Sequence, residues 1–361
     1  MIERLKRMVI SADVDEDSYQ RVYPELRESN RSSLVVFTTL ALFFLIAMMI
    51  MSYFSSDLEA NRLLYSISGV IVGVEALLSM RPAKAHPKII QPLVYIFSFV
   101  LLGFGIILGT VTVPDEVTAA YIALMLTVPQ VFTDRPYRQY GMIFISVGVF
   151  IIMVVTHKDP SIWNSDIVNA VVFGFVSAFS CTYTNKIKAE RFCMEDTIRF
   201  MAENDQLTGM KNRNSYELKL QNDSFPDAGS LFCVFVDVNG LHELNNTQGH
   251  AAGDRMLQYV ATSMQAFFGK DDTYRIGGDE YVVLGQNLPM DELRNKVDLF
   301  RQAVSRGGYH VAVGIEYQSR TEMDLDLLVR AAEKGMYQDK KDYYRQSGSD
   351  RGDRLEENED E

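Results

Sequence analysis

Asp237, Asp279 and Glu280 are the residues whose types and spacing point most directly to chemistry. Asp237 stands near the end of an apolar run, LFCVFVDV (Leu231–Val238), that reads as a buried strand. Asp279 and Glu280 sit in RIGGDEYVVL (Arg275–Leu284), a strand, a tight turn and a second strand, directly after Gly277 and Gly278. In a sheet, the end of one strand and the turn of its neighbour lie close together, so the three carboxylates are expected to converge. Like charges that close repel and shift one another's pKa unless a cation sits between them. An all-oxygen ligand set suits Mg²⁺, which usually shares its shell with phosphate oxygens. The two glycines would let a triphosphate approach the backbone. A Gly-Gly-Asp turn alone is equally consistent with a plain type I′ hairpin, so the metal reading rests on the surrounding segment.

That segment, residues 205–344, alternates between strand and helix signals. HAAGDRMLQYVATSMQAFF (His250–Phe268) is an amphipathic helix. The hairpin is followed by a helix over Met290–Ser305, a strand over Tyr309–Tyr317 and a helix over Asp324–Lys340. The pattern predicts an α/β domain. The last stretch, 345–361 (RQSGSDRGDRLEENEDE), has no apolar period and is expected to be a disordered acidic tail. Residues 1–200 hold 17 Lys+Arg and 18 Asp+Glu, whereas 201–361 hold 18 and 29, a net −11 of the chain's −12. So acidic a half excludes nucleic acid as its expected partner. Cys181, Cys193 and Cys233 are odd in number, widely spaced and without metal-ligand spacing, which argues against a disulfide framework or zinc site.

From Asp205 to about Tyr344 the sequence resembles the GGDEF family of diguanylate cyclases. DQLTGMKNRNSYE resembles the family's opening motif, FVDVNGLHELNNTQGHAAGD its metal strand and guanine-binding helix and loop, RIGGDEY its signature, with Tyr281 for the usual Phe, and AAEKGMYQDKKDYY its closing helix. Four motifs in order at family spacing are far more specific than one pentapeptide. The resemblance implies one GTP per subunit, two subunits face to face, and attack of each ribose 3′-OH on the other GTP's α-phosphorus, giving cyclic di-GMP and two pyrophosphates. It implies Asp237, the Val238 carbonyl and Glu280 as holders of Mg²⁺ or Mn²⁺, with Asp279 at a position for metal binding or 3′-OH deprotonation. The roles of Asp279 and Glu280 stay open between catalyst and ligand. It implies Asn245 and Asp254 as guanine contacts, His250 as a pocket-lining residue and Lys340 as a phosphate contact. Phosphoryl transfer mainly needs positioning and charge neutralisation, which Lys340 and the backbone near Gly240 and Leu241 could also supply.

The chain departs from the family pattern at several positions. His242 stands where lysine is usual, Asn246 follows Asn245 in place of aspartate, and Tyr344 stands where an arginine is frequent, with Arg345 beside it. His242 and Arg345 are retained as substrate-contact candidates. Neutral imidazole offsets less phosphate charge than ammonium. The usual Arg-x-x-Asp inhibitory site reads FGKD here, so Phe268 replaces its arginine while Asp271 remains. These changes leave room for an alternative, a catalytically weak or inactive module that binds GTP or serves as an interaction platform.

The N-terminal half has six apolar runs: Ser33–Phe54, Leu63–Met80, Ile89–Val111, Val117–Phe132, Tyr140–Thr156 and Ile167–Thr184. Each approaches the roughly 20 residues needed to cross a bilayer. The first is too long, and too far from the start, for a signal-peptide core. Arg4, Lys6, Arg7, Arg21, Arg27 and Arg31 precede the first run. Arg81, Lys84 and Lys88 follow the second, Arg135 and Arg138 the fourth, and Lys186, Lys188 and Arg191 the sixth. The alternate loops are poor in basic residues, which predicts cytoplasmic termini in an inner or plasma membrane. Those loops are too short to hold an extracellular sensor, so the signal ligand is unidentified. Glu75 in the second run is an intramembrane ionisable group, close enough to the end of the run to snorkel. Few intramembrane charges or breaks besides Glu75 and Pro129 argue against a transporter. Asn185–Asn204 reads as a helix with a narrow apolar stripe, either a lone stalk or a homodimeric coiled coil.

The expected architecture is a six-helix transmembrane α bundle followed by a cytoplasmic α/β (α+β) nucleotidyl-cyclase-like GGDEF domain with a central, mainly antiparallel sheet. The expected divisions are a segment 1–31, spans over 32–184, a connecting helix 185–204, the catalytic domain 205–344 and the tail 345–361. The expected partners are GTP, a second copy of the chain and the lipid bilayer.

Overall fold

The computed structural model describes residues 2–80, 88–222, 225, 229–319 and 324–347. The chain divides into two compact units, Met1–Asp196 and Thr197–Glu361.

The first unit is helical: α1 (Ile2–Ser11), α2 (Glu16–Met51), α3 (Ser56–Glu59), α4 (Arg62–Ser79), α5 (Ile90–Ile107, continued by a π turn over Leu108–Thr112), α6 (Ala120–Val131), α7 (Pro136–His157) and α8 (Trp163–Glu203). Among the described residues, five helical stretches, ending in or formed by α2, α4, α5 with its π turn, α7 and α8, are long and apolar enough to cross a membrane. Large apolar side chains such as Phe43, Leu77, Phe175 and Phe179 are exposed on their outer faces. The expected fourth span differs. α6 has 12 residues, about 18 Å at 1.5 Å per residue, against a hydrocarbon core of roughly 30 Å. Its N-terminal part is held out of helix at Thr118, whose N–H and hydroxyl bind the Asp166 carboxylate at 2.9 and 3.1 Å. The Lys158 ammonium lies 2.7 Å from the same carboxylate. Six spans are therefore not all present as spanning helices. Glu75 does not snorkel: it is buried, and neither carboxylate oxygen has a hydrogen-bond partner.

α8 is fastened well beyond the expected end of its span. Asn185 Nδ2 donates to the Asp134 carbonyl at 3.1 Å and to Gln139. Lys188 Nζ donates to the last carbonyls of α6, Gln130 and Val131, at 2.8 and 3.0 Å. Lys186 pairs with Asp13 at 2.8 Å. Ala189 is buried among Tyr19, Val22 and Leu26, with Phe192 and Cys193 packed alongside. The connector expected over 185–204 thus begins inside the first unit. Past Cys193, Met194, Ile198 and Met201 are exposed.

The second unit comprises α9 (Arg213–Gln221), β1 (Ser230–Asn239), α10 (Leu241–Gln248), α11 (His250–Phe268), β2 (Thr273–Arg275), β3 (Glu280–Gln286), α12 (Met290–Arg306), β4 (His310–Ser319) and α13 (Leu325–Ser347). The sheet runs β2-β3-β1-β4 and all its pairs are antiparallel. β1 is rich in β-branched and aromatic residues and buried on both faces, which is why it reads as a continuous apolar run. Its period of two divides it: Phe232, Val234, Val236 and Val238 join the core under α11 and α12, and Leu231, Cys233 and Phe235 the core under α13. Each fully buried valine contributes about 2 kcal/mol. The closing helix runs on to Ser347, so 345–347 of the expected tail are helical. The rest of that tail, and Arg81 and Lys84 of the second loop, lie outside the described residues.

β4 meets α13 at backbone distance. A Cβ on Gly314 would lie 1.8 Å from the Ala332 carbonyl oxygen and 2.3 Å from the Met336 nitrogen. Gly314→Ala should therefore force the helix off the sheet and destabilise the second unit by about 3 kcal/mol. Hydrogen exchange in β4 and α13 should accelerate correspondingly. Unchanged protection of those amides would refute the contact.

Candidate functional site

The antiparallel register sets Asp237 of β1 directly opposite Glu280 of β3. Just beyond that pair, the Val238 N–H donates to the Asp279 carbonyl at 3.1 Å, tying β1 to the turn. The turn is not of type I′, because neither Gly277 nor Gly278 has a positive φ. A Cβ on Gly277 would lie 2.4 Å from Glu280 Oε2, because that carboxylate folds back over the glycine. The opening motif secures the hairpin from outside. Arg275 donates to the Gly278 carbonyl at 2.6 Å and to Asp205 Oδ1 at 2.8 Å, and its backbone N–H donates to Lys211 O at 2.8 Å. Burial alone would raise the Asp205 carboxyl, but bonds from Thr208 and Arg275 outweigh it and hold it below its ordinary range.

Asp237 is 4% exposed. Lys340 Nζ, from α13, lies 2.7 Å from both of its oxygens and hydrogen-bonds Oδ2. Oδ1 is buried without a hydrogen bond. Burial pushes the Asp237 carboxyl up to about 6, with the charges of Asp279 and Glu280 adding to the shift and Lys340 opposing it. Burial also raises Glu280, assisted by Asp279 and Glu333. The expected metal set of Asp237, Val238, Asp279 and Glu280 is not assembled as a cage. Among the described residues no three His, Cys, Asp or Glu side chains are placed to hold a metal ion. Asp237 takes its countercharge from Lys340, and Glu280 leans on Gly277. The donor chemistry nevertheless fits a hard divalent cation: two carboxyls raised by burial, with the charge of Asp279 adding to both, are what such an ion would relieve.

The residues expected to contact substrate divide. Asn245 on α10 lies against α11 at Gly253, and its Oδ1 is buried without a partner. Asp254 follows Gly253, and His250 lies one turn before Asp254, both exposed. His242 is exposed and its Nε2 lies 3.0 Å from Asn246 Nδ2. Arg345 is not brought to the site. Five residues past Lys340 it points about 140° round the helix, where it pairs with Asp342 at 4.0 Å. Tyr344 lies a turn beyond Lys340 and is buried. Phe268 packs edge-on against Phe300 with centroids 6.2 Å apart, as an apolar core residue does. Three neighbours of the site escaped sequence reasoning: Asn239, Glu333 and the Asp205–Arg275 pair. Period two from Asp237 signals the first, and two helical turns before Lys340 the second. Nothing in the sequence signals the third, which joins residues 70 positions apart.

The family model for the diguanylate cyclase GGDEF domain matches residues 202–346. That segment is a GGDEF domain. The match covers less than half of the chain. An uncharacterized signaling protein of Caulobacter vibrioides is 38% identical over 99 residues, 26% of this chain and 12% of its own length. An uncharacterized membrane protein of Staphylococcus haemolyticus is 23% identical over 297 residues, 69% of this chain and 78% of that protein. The structure of the coiled coil and GGDEF domain of DgcB from Caulobacter crescentus, in complex with c-di-GMP, is 18% identical, covers 48% of this chain and 96% of that one, and superposes with a TM-score of 0.40. The chain spans only 12–21% of the length of the first of its curated relatives.

The raised Asp237 carboxyl has a sign that can be measured on the GGDEF domain. A folded value of about 6 against 3.8 means the folded state holds the proton more tightly. Metal-free stability should fall by about 3 kcal/mol as pH rises between roughly 4 and 6. Asp237→Asn is spared that loss. In EDTA it should melt above wild type at about pH 7.5, with the gap closing towards about pH 4. A gap of the same size at both pH values, read by scanning calorimetry, would show that the carboxylate carries no such penalty.

Proposed function

We propose that the chain is a membrane-anchored diguanylate cyclase that condenses two GTP into cyclic di-GMP and two pyrophosphates. The observation that carries the reading is the register pair Asp237–Glu280, with Lys340 on Asp237, inside a domain matched as a diguanylate cyclase GGDEF domain. Asn245 and Asp254 would hold guanine by its hydrogen-bonding edge, with His250 beside them. Lys340 would move from Asp237 to the phosphates. The ribose 3′-OH of one GTP would attack the α-phosphorus of the other; the new P–O bond forms as the bond to the β-phosphate oxygen breaks and pyrophosphate leaves. Asp279 or Glu280 would take the hydroxyl proton. Mg²⁺ or Mn²⁺, held by Asp237, the Val238 carbonyl, Glu280 and Asp279, would supply charge neutralisation at the phosphates.

A second reading, a GTP-binding or interaction module with little catalysis, is favoured by the engagement of His242 with Asn246 and by the burial of Tyr344. One assay separates them. Full-length protein in detergent with Mg²⁺ and GTP should release cyclic di-GMP, and Asp237→Ala or Glu280→Ala should lower the rate at least 100-fold while folding is retained. GTP binding without product would decide for the module.

The apolar helices and the membrane-protein relative support anchoring in a bilayer, with the GGDEF domain on the cytoplasmic side by the loop charges. Because one domain holds one GTP, two copies must face each other. We infer that α8 pairs with its counterpart along Met194, Ile198 and Met201, at spacings of four and three. Alanines inserted after Asp196 would each turn the domain by about 100°. Activity should fall with one or two and partly return with four. Indifference to insertion length would make α8 a tether only.

A further inference from the structure

Asn239 ends β1 two residues beyond Asp237. It is 3% exposed, yet among the described residues neither its Nδ2 nor its Oδ1 has a hydrogen-bond partner. A buried amide left that way costs a few kcal/mol, and such a group calls for a ligand, an ion or a water. Asn239 lines a cleft of about 420 Å³, within the roughly 300–1,000 Å³ of small-molecule sites. The cleft runs along the side of α10 that carries Glu243, Leu244, Thr247 and Gln248. It is bounded by Arg255 of α11, Tyr309 and His310 before and in β4, and Tyr343 of α13. Gly240 also lines it, so the cleft borders the backbone offered to the GTP phosphates, but Asp237, Asn245, Asp254 and Lys340 do not line it.

Three chemistries meet in this cleft. The rings of His310 and Tyr343 lie 5.5 Å apart at 37° and form an aromatic shelf. His310 is there because the β1–β4 register pairs it with Asn239, and Tyr343 because it follows Lys340 by about one turn. Asn239, which lines the cleft, carries a donor and an acceptor side by side on its buried amide. Arg255 offers a guanidinium, and among the described residues no ion pair involves it. A shelf for a ring face, an amide for a ring edge and a cation for an anionic group are together the requirements of a nucleotide. We propose that this cleft is a second nucleotide site of the domain, distinct from the pair Asp237–Glu280 and operating without a divalent cation.

The test uses the full chain in detergent with EDTA, which removes metal-dependent turnover, and equilibrium dialysis of radiolabelled GMP and AMP. At least one of the two probes should bind saturably. Asn239→Leu and Arg255→Ala should each weaken that binding at least tenfold, whereas Asn245→Ala should leave it in place. Without ligand, Asn239→Leu should melt at or above the wild-type temperature, because it replaces an unsatisfied buried amide with an apolar group of similar size. If that variant fails to fold, Arg255→Ala and Tyr343→Ala carry the test, since Arg255 is exposed. Binding of neither probe would overturn the proposal. So would binding unchanged by Arg255→Ala and Tyr343→Ala, or binding lost with Asn245→Ala alone.

Discussion

A carboxylate buried at the end of the central strand governs the second unit. Asp237 is out of water, faces Glu280 across the strand pair, and is charged at neutral pH only against the cost of its burial. One ammonium, Lys340, answers it. The sheet order places β1 between β3 and β4, so Asp237 meets the signature turn on one side. α13 crosses the sheet closely enough, over Gly314, to bring Lys340 to it. Removing Lys340 would leave the Asp237 charge buried without its partner, which is far costlier than never having placed one.

The same arrangement explains how a structural ion pair and a reactive site can be one object. A carboxylate whose pKa is raised by burial, with nearby carboxylates adding to the shift, is poised to exchange its partner for a stronger cation. Lys340 is only partly buried and long enough to swing. In the proposed reaction the ammonium leaves Asp237 for phosphate, and charge stays balanced throughout. The hairpin itself is held by Arg275 between Asp205 and Gly278, so that the exchange involves side chains rather than the turn.

Much of this was legible in the sequence. The buried β1, the amphipathic α11 and the hairpin follow from their periodicities, and four ordered motifs carry the family. The failures have physical causes. Val117–Phe132 is apolar enough to suggest a span, but Asp166 and Lys158 hold Thr118 out of helix, and hydropathy does not register that. Its distance from a helix end suggests that Glu75 snorkels, whereas helix packing buries it. Asp237 and Glu280 face each other in register, but the lysine that lies on Asp237 comes from 103 residues away, and no spacing signals it. Arg345 was chosen for adjacency, and helical phase turned it away.

In the proposed reaction Asp237 and Glu280 jointly hold a divalent cation once Lys340 is drawn to phosphate. Electron paramagnetic resonance of Mn²⁺, titrated into the full chain with a non-hydrolysable GTP analogue, tests it directly. One tight Mn²⁺ site per chain should appear that requires the nucleotide and is lost in both Asp237→Asn and Glu280→Gln. Equal Mn²⁺ binding by wild type and both variants would contradict it.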